Sequence, residues 1–127
     1  MTTAGIFRTV PDKDYFSFFK GNDVDCKSVV EIIRLKTEEV SKATGVPYAS
    51  VRYDEKMPQE VRERMIEWAT LLNLVAQRFR GDLKKSVLWF SISNPLLGDI
   101  SPRDMIRLGR YKKLFRLVIN PVDENAR

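Results

Sequence analysis

The clearest periodicity lies between Pro58 and Phe79. Val61, Met65, Trp68, Leu72, Val75 and Phe79 recur at alternating steps of four and three, which is one continuous stripe along a helix. Ile66, Ala69, Leu71, Leu74 and Ala76 widen it. A helix this apolar is expected to be buried on more than one side, as the centre of the core or in part as a subunit interface. Gly81 ends it, and Asp82 is placed to cap the next helix, Leu83 to about Ile92, with Val87, Leu88, Trp89, Phe90 and Ile92.

Upstream, Lys27 to Leu35 reads as a first helix with Val29, Val30, Ile32 and Ile33 on its apolar face. Thr37 stands as the cap of a short second helix, Glu38 to Thr44, whose two leading acids suit a helix N-terminus. Gly45 stops it, Val46 and Pro47 follow, and a third helix is expected from Tyr48 to about Tyr53. That order is the outline of a helix-turn-helix. Residues 1–26 read as irregular, with Tyr15, Phe16, Phe18 and Phe19 as an aromatic knot that must pack on the main body or across a dimer interface.

Downstream, residues 93–100 form a loop punctuated by Pro95 and Gly98. Ser101, Pro102 and Asp104 open a short helix with Met105, Ile106 and Leu108 as its apolar face, and Gly109 closes it. A last helix runs from about Arg110 to Ile119, Asn120-Pro121 stops it, and residues 122–127 form a polar tail. The fold class is therefore all-α: a helix-turn-helix-like half, a long central helix and a small helical C-terminal unit. The expected divisions fall at 1–26, 27–80 and 81–127.

Composition narrows the chemistry. With 127 residues, 43% apolar and 31% charged, the chain is an ordinary globular domain. No apolar run approaches the ~20 residues needed to span a bilayer, and Asp12, Lys13 and Asp14 break any leader-like stretch, so a cytoplasmic location without membrane attachment is expected. There is no histidine, and Cys26 is the only cysteine, which removes the commonest general base and the usual metal-ligand spacings. No acid pair stands out as catalytic. The chain is expected not to be an enzyme and to hold no cofactor or metal.

The net charge of +5 is unevenly spread. Residues 1–56 hold nine basic and nine acidic side chains, and residues 57–127 hold thirteen against eight. Arg103, Arg107, Arg110, Lys112, Lys113 and Arg116 face only Asp104 within their stretch. They form either a solvated face or a patch for an acidic partner or phosphates. The helix-turn-helix outline would offer Lys42, Tyr48, Ser50 and Arg52 to a DNA groove. Asp54 and Glu55 lie beside them, and DNA affinity needs uncompensated cations, so an inert scaffold is the competing reading.

One block of the chain carries a more specific signal. Trp89 precedes Asn94-Pro95, then Leu97-Gly98, Ser101-Pro102, Asp104-Met105-Ile106 and Gly109, before Tyr111 and a final helix to Val118. This block resembles the toxin-binding domain of the antitoxin Xre/MbcA/ParS family, and the upstream helix-turn-helix-like stretch resembles that family's N-terminal half. The resemblance implies an antitoxin of a toxin–antitoxin pair that covers the active site of a cognate toxin, often a RES-domain enzyme that consumes NAD. It also implies a homodimer able to bind operator DNA, with residues 122–127 as the segment nearest the toxin's site. The expected toxin contacts are Asn94, Arg103, Arg107, Arg110, Lys112, Lys113 and Arg116. Trp89, Leu96 and Leu97 are expected to anchor the loop to the core.

Overall fold

The computed structural model describes residues 10–120. Among the described residues, a two-stranded hairpin, β1 (Phe19–Lys20) and β2 (Asp23–Val24), precedes six α-helices. These are α1 (Cys26–Ile33), α2 (Thr37–Thr44), α3 (Gln59–Arg78), α4 (Leu83–Ser91), α5 (Pro102–Arg107) and α6 (Tyr111–Ile119). The all-α expectation holds. Helix α3 is the hub, packing against β2, α1, α2, α4 and α6, while α5 bridges α2, α4 and α6.

The predicted stripe explains the hub. Val61, Met65, Trp68, Leu72 and Val75 are buried, as are Ala69, Leu71, Leu74 and Ala76. Phe79 is half-buried, and Ile66 faces solvent instead of widening the stripe. The stripe closes a core inside one chain, with Val29 and Ile33 of α1, Val40 of α2, Phe90 of α4, Met105 and Ile106 of α5 and Leu114 of α6. It therefore leaves little apolar surface on α3 for a subunit interface.

Most of the local stops lie where the sequence places them. Asp82 accepts from Lys85 N at 3.1 Å and Ser101 from Asp104 N at 3.1 Å, each capping its helix. Gly45 takes φ 77°, a left-handed conformation that L side chains adopt only with strain, and it ends α2. The cap of α2 differs from expectation. Thr37 is its first helical residue, and Glu39 reaches back to accept from Lys36 N at 2.9 Å. The carboxylate does the capping because Lys36, at the cap position, has no side-chain acceptor.

The largest correction concerns the third helix. Tyr48 to Ser50 make a single 3₁₀ turn, and Val51 is extended with φ −74° and ψ 115°. Two physical causes are at hand. Pro47 sits before the turn at ψ 142° rather than in helical geometry, and the polar run Arg52 to Lys56 closes its own turn on Asp54, which accepts from Lys56 N at 3.0 Å. The helix-turn-helix outline thus keeps its first two helices and its glycine turn, but the expected third helix is only a single 3₁₀ turn.

The aromatic knot packs on the chain itself. Phe18 is fully buried, and Phe16 stacks on it with ring centroids 5.1 Å apart. A polar clamp sets the segment on α3: Asn73, 1% exposed, accepts from Phe16 N at 3.0 Å and donates to Asp14 at 2.9 Å. Asp14 also accepts from Phe18 N and Phe19 N at 2.9 and 2.8 Å. Burial raises the Asp14 pKa, but the bonds from Phe19, Asn73, Phe18 and Ser17 together outweigh it and hold the carboxyl below its usual value of 3.8.

Candidate partner-binding surface

The cations singled out in the sequence divide into two groups. Arg103 and Arg107 lie on α5 and turn toward α2. Arg103 Nη2 donates to the carbonyl of Arg34 at 2.6 Å and lies 3.6 Å from Glu39 Oε1, while its Nη1 is 3.2 Å from Asp104. Arg107 Nε donates to Asp104 at 3.1 Å and lies 3.7 Å from the other Glu39 oxygen. Glu39 therefore joins two arginines and a helix cap. This network is half-buried and ties α5 to α2 and to the end of α1.

Arg110, Lys112, Lys113 and Arg116 form the second group, at the head and along one side of α6. All four are exposed, and none has an acidic partner among the described residues. Arg110, Lys112 and Lys113 rim a groove of about 740 Å³ between α2, α3, α5 and α6. Its wall includes Ala43, Trp68, Ile106 and Tyr111. Arg64 also lines it, but its charge is answered by Glu67 through two bonds of 2.8 and 3.0 Å. The Tyr111 hydroxyl donates to the Glu67 carbonyl at 3.3 Å, and burial with the nearby Glu67 charge pushes its pKa well up, so it stays protonated.

Asn94 is occupied within its own loop. Its side chain accepts from Leu96 N at 2.9 Å, its amide donates to Ile100 O at 3.0 Å, and its carbonyl accepts from Leu97 and Asp99. Gly98, at φ 79°, completes the reversal. Of the expected anchors, Leu97 is buried and Trp89 is half-buried, lining a cavity with Val75, Phe79 and Val118, but Leu96 is 45% exposed. With Leu83, Leu88 and Ile92 it adds exposed apolar surface on and beyond α4.

The expected DNA-facing residues are less available than their sequence suggests. Tyr48, Ser50 and Lys42 are exposed, yet Arg52 clasps Asp54, with Nε–Oδ1 at 2.7 Å. That bond raises the Arg52 pKa and lowers that of Asp54. Cys26 is buried, which pushes its thiol pKa up and away from nucleophilic use. Among the described residues no acid or thiol cluster is placed to hold a metal, and no helix is long and apolar enough to cross a membrane. The expected polar tail, residues 122–127, lies outside the described residues.

No family model matches the chain, and no curated protein matches it. Among solved structures, a chain of the crystal structure of the M. tuberculosis MbcT–MbcA toxin–antitoxin complex superposes with a TM-score of 0.50 at 24% identity. The match covers 78% of this chain and 91% of that one. The likeness is one of fold.

Proposed function

We propose that the chain is the antitoxin of a toxin–antitoxin pair, a non-enzymatic protein that binds a cognate toxin and occludes its active site. The observation that carries this reading is a coincidence. The block from Trp89 to Val118, which resembles the antitoxin Xre/MbcA/ParS family, lies within a fold shared with a chain of a toxin–antitoxin complex. The chemistry agrees: the unpaired charge of α6 suits an acidic protein surface. A RES-domain, NAD-consuming toxin is the partner class that the resemblance implies, and a cytoplasmic homodimer belongs to the same reading.

Operator binding and autorepression form the weaker arm of the reading, because the 48–50 turn is short and Arg52 is already paired. A DNA-binding regulator without a toxin is the alternative. It predicts affinity for upstream DNA that falls steeply with salt.

The test is co-expression with the product of the adjacent gene. A neighbour that arrests growth alone, and is harmless and co-purified in the presence of this chain, supports the reading. A neighbour that is neither toxic nor bound removes it.

A further inference from the structure

The groove at the head of α6 combines two features that do not help the fold. First, Arg110, Lys112 and Lys113 are exposed around one concavity with no acidic partner among the described residues. Most arginines elsewhere in the described chain are paired: Arg52 with Asp54, Arg62 with Asp23, Arg64 with Glu67, and Arg103 and Arg107 with Glu39 and Asp104; Arg110 is not, and it stands beside two lysines that are likewise without an ion pair among the described residues. Second, these three cations stand where a helix disfavours positive charge. Arg110 is the cap residue of α6, Lys112 and Lys113 are in its first turn, no side chain caps it and no acid is present there. Local rules are broken chiefly at functional or strained sites, and this helix start shows no strained backbone angle.

Resting on the partner-binding reading above, we propose that this groove docks an extended acidic peptide segment of the partner protein. Its carboxylates would meet Arg110, Lys112 and Lys113, and an apolar side chain would enter against the half-buried Ala43 and Tyr111, above the buried Trp68 and Ile106. Charge complementarity selects the occupant's sign. The shape selects a peptide over nucleic acid: the groove of about 740 Å³ sets its cations around the half-buried Ala43 and Tyr111, a seat for an apolar side chain that a phosphate backbone does not use. Arg103 and Arg107 are not part of this site, because Glu39 and Asp104 occupy them.

The experiment uses the full chain and a fluorescein-labelled peptide of alternating glutamate and leucine, followed by polarisation. The expected result is binding that weakens with salt, and that weakens further when serine replaces leucine at equal charge. Arg110→Ser/Lys112→Gln/Lys113→Gln should lose at least about tenfold in affinity. Lys20→Gln/Lys27→Gln/Lys56→Gln, with the same net charge change, should bind like the original chain. No binding, equal loss in both variants, or displacement of the peptide by random-sequence duplex DNA more readily than by unlabelled peptide each overturns the proposal. The outcome is separable from the antitoxin reading. A co-purifying toxin that ignores the first triple variant sinks the groove and leaves the antitoxin. Peptide capture without any bound neighbour does the reverse.

Discussion

Two polar regions of this molecule use their side chains in opposite ways. At the N-terminal clamp, Asn73 and Asp14 are saturated with partners from three successive parts of the segment they hold. At the head of α6, Arg110, Lys112 and Lys113 are exposed and unanswered. The first arrangement is what folding demands, since a buried polar group without a partner costs about 1–3 kcal/mol. The second costs stability and gives nothing back to the fold. Helix α5 stands between them: its two arginines look no different in the sequence, but Glu39 and Asp104 satisfy them. A run of like charge therefore says little until its partners are known.

Breaking the clamp should have the largest effect. Asn73→Leu keeps the volume but leaves Phe16 N without an acceptor and removes a donor from Asp14. A loss of about 2 kcal/mol in urea unfolding is expected, with faster amide exchange over residues 14–19 and unchanged affinity for a partner at α6. Loss of partner binding at full stability would mean that the clamp, and not α6, faces the partner.

Glu39→Ala converts α5 toward the state of α6 by stranding Arg103 and Arg107 and uncapping α2. The expected loss is about 1–2 kcal/mol, combining a cap with two partly exposed ion pairs. Chemical denaturation measures it, and added salt should shrink the difference.

Acid sharpens the contrast from another side. The folded pKa of Asp14 lies below its unfolded value, so its contribution is complete above the unfolded pKa and is lost as pH falls through the folded one. Stability should decline below about pH 4, and Asp14→Asn should flatten part of that decline. Equal acid sensitivity in the two proteins would remove Asp14 from the account.

The legible parts of this structure were the local ones. The stripe of α3, the Asp82 and Ser101 caps and the Gly45 stop each depend on residues a few positions apart, and the sequence displays them directly. Asn73 was invisible because it sits among Leu71, Leu72, Leu74 and Val75, and only the distant Phe16 and Asp14 explain it. The third helix failed because a proline that can start a helix can equally end an extended turn, and the sequence does not say which. Candidate contacts failed to separate for the same reason: Arg103 and Lys112 look alike until α2 brings Glu39 across to one and nothing to the other.

The smallest expected change is also the most discriminating, because its sign runs against intuition. Lys112→Glu places an acid in the first turn of α6, where the helix dipole favours negative charge, and it relieves repulsion from Arg110 and Lys113. A surface residue replaced for structural reasons alone should be near neutral. Here a gain of about 0.5 kcal/mol is expected, visible as a small rise in melting temperature, together with weaker capture of an acidic partner. A protein that becomes more stable and less able to bind has been keeping that lysine for the partner. If Lys112→Glu instead destabilised the chain, the cation would have an unrecognised structural role, and the contrast between the clamp and α6 would collapse.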